Sequence, residues 1–153
     1  MMRLTHLTIA LVVALFAVGC IAPEDRRPGF RLPGEVTAYP DDWSVVDAHP
    51  LIAVEVRTPY FLPHSVTITR GVQDGHLIIG ARDPETKNWP GWVDDDPNVR
   101  LGIGDLVYEA KLVAISDPAE AARVRAQSLA QSGNAAALQD VPIRFWKVAP
   151  RDS

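Results

Sequence analysis

The chain holds 153 residues, 47% of them hydrophobic, with 19 Asp and Glu against 15 Lys and Arg and a formal charge of −4. That length suits one domain of ordinary size, and an acidic balance without any Lys/Arg cluster interleaved by aromatics excludes a general attraction to nucleic-acid backbones. A single cysteine excludes an internal disulfide, so an exported fold would stand on its core alone. The first predicted element is an apolar run from Leu7 to Val18, broken only by Thr8 and preceded by one firm cation, Arg3. It is too short to span a bilayer core that needs ~20 helical residues, but it has the length of the apolar stretch of a secretory signal.

The run closes on Ala17-Val18-Gly19-Cys20 and gives way at once to polar, Pro-containing sequence. This resembles the bacterial lipoprotein signal, which ends in a small or aliphatic residue, a small residue, Gly or Ala, and then Cys; here Ala17 stands where Leu is usual. The resemblance implies cleavage before Cys20 and a lipid on its thiol, two or three acyl chains holding a protein stably where one does not. Residues 1–19 are then a signal peptide and the domain faces the periplasm or exterior of the cell envelope. Ile21, rather than Asp, resembles lipoproteins sent to an outer membrane. The competing readings are an ordinary cleaved signal and an anchor helix in which Cys20 is incidental.

Residues 20–40 contain Pro23, Pro28, Pro33 and Pro40, with Gly29 and Gly34, and no apolar periodicity. Such composition reads as an extended tether, with the folded part beginning at Asp41-Asp42-Trp43-Ser44. A chain starting near Glu35 is therefore expected to hold the whole fold. Strand signals then follow in series. Leu51 to Thr58 places Ile52, Val54 and Val56 on one face and Ala53, Glu55 and Arg57 on the other. Ser65 to Arg70 turns Val66 and Ile68 inward, and Asp74-Gly75 supplies the positive φ of a tight turn into a return strand from His76 to Ala81. Arg82 to Asn98 reads as loop or loose helix. Val99 to Ile103 and Leu106 to Ile115 form a hairpin across Gly104-Asp105. Ser116 is placed to cap a helix with Pro118 in its first turn and Glu120 completing the cap, running to about Ser132 before Gly133. A last strand covers Ile143 to Val148. The order predicts a mainly β domain over 41–153: a small antiparallel barrel with one packed α-helix.

From about Ile52 to Pro150 the chain resembles the split-barrel superfamily of pyridoxamine-phosphate-oxidase-like and deazaflavin-dependent nitroreductase-like proteins. The residues that carry this are Asp74-Gly-His-Leu-Ile-Ile, Trp89 followed by Pro97-Asn98-Val99-Arg100-Leu101, the strand pair around Asp105-Leu-Val-Tyr108-Glu-Ala-Lys-Leu-Val, and Asp117-Pro-Ala-Glu120 opening the helix. The resemblance implies a split β-barrel and brings flavin mononucleotide (FMN) or a deazaflavin into question. Many flavin-binding members hold the phosphate in a Gly-Arg-Lys-Ser-Gly-like loop. Here that place reads Arg57-Thr58-Pro-Tyr-Phe-Leu-Pro-His64-Ser65, with no Gly and with two prolines that remove amide donors.

Arg57, Thr58, His64, Ser65 and Lys87 are the candidate cofactor-binding residues, with Trp89 as a stacking surface. The bland alternative pairs Arg57 with Glu55 or Asp83 on the surface and leaves His64 ending a loop. Asp94-Asp95-Asp96 is read as a solvated acidic turn, because it lacks the spaced ligands of a calcium loop. His6, His49, His64 and His76 show no metal-type spacing, and no Gly-x-Ser-x-Gly elbow supports nucleophilic hydrolysis. Three functions remain: an envelope-tethered, non-catalytic barrel binding a small ligand or an envelope protein, as a monomer or homodimer; an FMN- or deazaflavin-dependent oxidoreductase with a diverged phosphate site; and a purely structural lipoprotein. With so few donors for a dianionic phosphate, flavin binding is expected to be weak or absent, with a Kd above roughly 10 μM.

Overall fold

The structure, a computed structural model, describes residues 22–23 and 27–152, so the apolar leader and Cys20 lie outside the described residues. Seven strands run in chain order: β1 Glu35–Thr37, β2 Leu51–Arg57, β3 Pro63–Gln73, β4 His76–Arg82, β5 Asn98–Ile103, β6 Leu106–Ala114 and β7 Ile143–Ala149. They lie in the order β1-β6-β5-β2-β3-β4-β7, and β7 returns to pair with β6, so β2 to β7 close into a six-stranded antiparallel barrel. The closure is split along β6. Lys111 to Ala114 pair with β7, while Leu106 to Tyr108 pair in parallel with β1 as an extra strand. The domain is mainly β, as the alternation of its sequence predicts.

Alternation explains why the barrel closes. Ile52, Val54, Val56, Leu77, Ile79, Val99, Leu101 and Trp146 all point into one buried cluster. Removing such side chains from water contributes roughly 1.5–3 kcal/mol each. Asp74 and Gly75 turn the chain at φ 51° and 77°, and β3 continues through Gln73 right up to them. The strand runs from Pro63 and so exceeds the stretch that alternation alone marks by two residues at its start and three at its end, because the ladders carry Pro63 and His64 opposite Arg57 and Val56, and Gly71, Val72 and Gln73 opposite Ile78, Leu77 and His76.

Among the described residues three α-helices decorate the barrel: α1 Trp89–Asp95, α2 Pro118–Gln131 and α3 Ala135–Leu138. The cap of α2 is Asp117, not Ser116: its carboxylate accepts the Glu120 N–H at 2.7 Å. A carboxylate does this better than a hydroxyl, since it also answers the positive end of the helix dipole. Gly133, at φ 64°, ends the segment as expected. Among the described residues no helix is long and apolar enough to cross a membrane.

The largest departure concerns the expected tether. From Gly29 onward it is folded against the barrel: Gly29 pairs with Ser65 through two backbone hydrogen bonds of 2.8 and 3.0 Å. Leu32 is 3% exposed, and Glu35 begins β1. Gly34 sits at φ +127°, where an added Cβ would come within 2.7 Å of the Asp105 carbonyl oxygen. Only glycine lets the arm lie this close to the β5–β6 turn.

Candidate functional site

β2 carries Glu55 on the outer face of the barrel, between the inward Val54 and Val56. Glu55 stands directly opposite Ser65 on β3 and Arg100 on β5, and Arg100 stands opposite Glu109 on β6. Residues facing each other across an antiparallel sheet share a face, so Ser65, Glu55, Arg100 and Glu109 form one polar row across four strands. The N-terminal arm covers part of that row. The Leu32 N–H donates to Glu55 Oε2 at 2.6 Å, and Arg100 Nη1 donates to the same oxygen at 2.8 Å. Glu55 and Arg100 are both buried by this cover.

A cavity of about 530 Å³ opens along the row, lined by Glu55, Arg100 and Glu109 together with Arg31, Arg57 and Arg151. Arg151 is committed to the structure, donating to the carbonyls of Val99 and Ala110 and pairing with Glu109 at 3.2 Å. Arg57 is 66% exposed and lies 3.7 Å from Asp96. Its partner is therefore Asp96, rather than the Glu55 or Asp83 that its sequence neighbourhood suggests. Two polar atoms in the row have no partner among the described residues, Ser65 Oγ and Arg100 Nε. An orphaned guanidinium N–H at a buried position costs on the order of 1–3 kcal/mol unless something answers it.

The residues singled out from the sequence divide. Arg57, Thr58, His64 and Ser65 are brought to this end of β2 and β3, but they do not converge on one point. The Thr58 hydroxyl donates to the Leu62 carbonyl at 2.7 Å, closing the β2–β3 loop. Ser65 is wholly buried opposite Gly29. His64 lies edge-on to Trp92 with ring centroids 5.1 Å apart, and burial holds its imidazole below the ordinary value. Lys87 donates to the Arg82 carbonyl beyond β4, and Trp89 packs on Trp146 inside the core at 5.2 Å. The row formed by Glu55, Arg100 and Glu109 was missed by sequence reasoning. Its signal was a charged residue flanked on both sides by apolar ones within two strands, Val54-Glu55-Val56 in LIAVEVR and Val99-Arg100-Leu101 in NVRLGI.

This set does not fit the phosphate of FMN. No glycine turn presents amides, the hydroxyls of Thr58 and Ser65 are turned to the fold, and Lys87 and Trp89 lie elsewhere. Among the described residues no group of three His, Cys, Asp or Glu side chains is placed to hold a metal ion.

A second cavity, of about 680 Å³, lies between α2 and the outer face of β3, β4 and β7. Its floor is apolar, with Ile78, Val124 and Phe145 forming a small cluster of their own, and Gln127 of α2 reaches across it to the Val72 carbonyl at 3.1 Å.

No known family matches the chain by sequence, and no curated protein does. Solved structures do. The protein Atu2129, of unknown function, from Agrobacterium tumefaciens str. C58 superposes with a TM-score of 0.57 at 17% identity over 67% of this chain and 49% of its own. The chain thus spans about half the length of that neighbour. HutZ, the heme storage protein from Vibrio cholerae, gives 0.58 at 10% identity over 71% of this chain and 87% of its own. An FAD-binding protein from Mesorhizobium loti gives 0.52 at 15% identity over 71% and 84%. Further neighbours are a pyridoxamine 5'-phosphate oxidase-like protein from Listeria innocua and an F420-H2 dependent reductase, and at these identities the likeness is one of fold.

Proposed function

We propose that this chain is an envelope lipoprotein, anchored through a lipid on Cys20, whose split barrel binds a small anionic ligand without chemical conversion. The observation that carries the binding reading is Arg100, held under the arm with its Nε unanswered and lining a cavity ringed by Arg31 and Arg57. A ligand with one carboxylate or phosphate group suits that charge, and arginine is the side chain that meets such groups in a planar, two-pronged way. Fold neighbours described as heme storage and FAD-binding proteins support a ligand-holding barrel. The leader, which ends on the chain's single cysteine, supports the anchor.

Thermal denaturation with inorganic phosphate, pyrophosphate and citrate tests the binding. At about one hundred times its Kd a ligand of the native state adds about 2.7 kcal/mol, and Arg57→Ala should abolish the gain. No shift with any of the three anions would remove the reading. The oxidoreductase reading takes the lead instead if FMN or a deazaflavin binds below micromolar Kd and Arg57→Ala abolishes that binding. For the anchor, Cys20→Ser should release the protein from membranes or leave its precursor uncleaved. Unchanged processing and membrane association would remove that half.

A further inference from the structure

The loop between β2 and β3 displays three large apolar side chains in succession: Tyr60, Phe61 and Leu62 are 59%, 80% and 56% exposed. The display is built into the loop. Pro59 and Pro63 bracket it, Thr58 clamps it by accepting the Phe61 N–H at 3.0 Å and donating through its hydroxyl to Leu62, and Phe61 itself sits at φ 64°. A bulky residue in the left-handed region is held there only by its surroundings. Behind the loop, Tyr60 and His64 both rest edge-on against Trp92. A rigid tip that holds a phenylalanine into solvent calls for an apolar occupant.

The N-terminal arm identifies the occupant. Gly29 is bonded to Ser65, two residues beyond the loop, Phe30 beside it is half-exposed, and Arg31 lines the same cavity wall as Arg57 and Phe61. Cys20 precedes Gly29 by only nine residues, no more than about 30 Å of extended chain. That is less than the roughly 35 Å diameter expected of a domain this size. A lipid on Cys20 therefore keeps the face carrying Phe30, Tyr60, Phe61 and Leu62 toward the bilayer and not away from it.

We infer that the Tyr60-Phe61-Leu62 tip, with Phe30, is a membrane-docking surface that inserts into the interface of the bilayer holding the anchor. Arg31 and Arg57 stand at headgroup level, where their guanidinium groups meet lipid phosphates. The pattern of a few aromatic and aliphatic side chains flanked by cations is that of an interfacial contact and not of a span. The inference rests on the anchor reading of the preceding section, and its test separates the two.

Phe61→Cys and, as a control at the opposite end of β2, Leu51→Cys are made in the full chain. Both are labelled with a polarity-sensitive fluorophore and read with and without phosphatidylcholine/phosphatidylglycerol vesicles. Leu51 is as exposed as Leu62 but points from the far end of the strand. The expected result is a vesicle-dependent blue shift and intensity gain at 61, at least twofold, with none at 51. An acylated Cys20 takes no label, so labelling of the unsubstituted chain would mean that the anchor reading fails while leaving the shift at 61 to be judged by itself. Equal shifts at both positions, or none at 61, would overturn the docking surface. So would a shift at 61 that appears without vesicles and grows with protein concentration, since a second copy would then be the occupant.

Discussion

Two neighbouring cross-strand pairs on the same two strands show how differently the faces of this barrel are built. Val54 and Leu101 meet on the inside, both with no exposure at all, and each needs only more of the barrel's own apolar side chains. One residue along, Glu55 and Arg100 meet on the outside and are buried by an arm whose Leu32 lies 23 residues upstream of Glu55. Each residue of the inner pair is replaceable singly by an apolar side chain of similar volume. Neither residue of the outer pair is, because removing one partner alone leaves a charge under cover. The inside of the barrel therefore specifies a fold that distant proteins share. The outside, where the arm, the polar row and the exposed loop meet, is where this chain becomes particular.

The sharpest way to break the comparison is to remove one charge. Glu55→Ala strands Arg100 and the Leu32 N–H together and should cost about 3–5 kcal/mol, as for other broken buried pairs. The double variant Glu55→Met with Arg100→Met should recover most of that loss, since two well-packed apolar residues do not carry the desolvation penalty. Urea denaturation of the unsubstituted chain, Glu55→Met, Arg100→Met and the double variant measures the coupling. A double variant no more stable than Glu55→Ala would mean that the row is held by something other than the pair. Removing the cover instead, by starting the chain at Glu35, should cost about 2–4 kcal/mol. Leu32 loses its burial, but water returns to both charges and offsets part of the loss. Gly34→Ala should reproduce a portion of this, because its Cβ cannot share space with the Asp105 carbonyl. A truncated chain as stable as the longer one would return residues 27–34 to the role of a tether.

How far these features were legible follows from the same contrast. The barrel could be read from the sequence because alternation is a local signal: Val54, Val56, Ile68, Leu77 and Ile79 announce an inner face within their own strands. The Asp74-Gly75 turn and the helix after Asp117 are equally local. Glu55 and Arg100 alternate just as correctly, and alternation assigns them to solvent. What buries them is the arm, and an arm rich in proline and glycine has the composition of a linker. Lys87 and Trp89 lie apart from the other candidates for the opposite reason. They stand near the loop in the order of motifs that carries the sequence resemblance, but one is tied to the Arg82 carbonyl and the other faces Trp146 inside. The cap lies one residue beyond the expected Ser116, at Asp117, which stands the three residues before Glu120 that a capping arrangement needs.

His64 extends the comparison to the end of the inner face, where it stands opposite Val56 and rests against Trp92. Desolvation lowers its imidazole value in the folded chain, so the unfolded chain binds that proton more readily. The stability it contributes is complete above the unfolded value near 6.5 and is lost as pH falls through and below it. Thermal midpoints should therefore decline between pH 7.5 and 5.5, before most carboxylates titrate. His64→Phe, which keeps an aromatic edge against Trp92, should flatten that part of the profile. An unchanged profile in His64→Phe would assign the decline to other groups.

The smallest effect is expected where the same residue types as the Glu55–Arg100 pair meet in the open. Arg144 grips Asp94 with both nitrogens, and its guanidinium also lies 4.8 Å from the centroid of the Trp146 ring. The hydrogen bonds from Arg144 hold the Asp94 carboxyl below its ordinary value. The pair therefore contributes above the unfolded value near 3.9 and loses its contribution as pH falls through the depressed one. Both side chains are substantially exposed, at 35% and 51%, so water screens them and the contribution at neutral pH should be about 0–1 kcal/mol. Asp94→Asn should cost no more than that by urea denaturation at pH 7, and adding salt should shrink the difference further. Arg144→Ala should cost somewhat more than Asp94→Asn, because it also uncovers the face of Trp146, a loss that salt does not screen. Equal, salt-sensitive losses in the two variants would mean that the ring contact contributes nothing. A loss for Asp94→Asn as large as that for Glu55→Ala would undo the distinction between the covered pair and the open one.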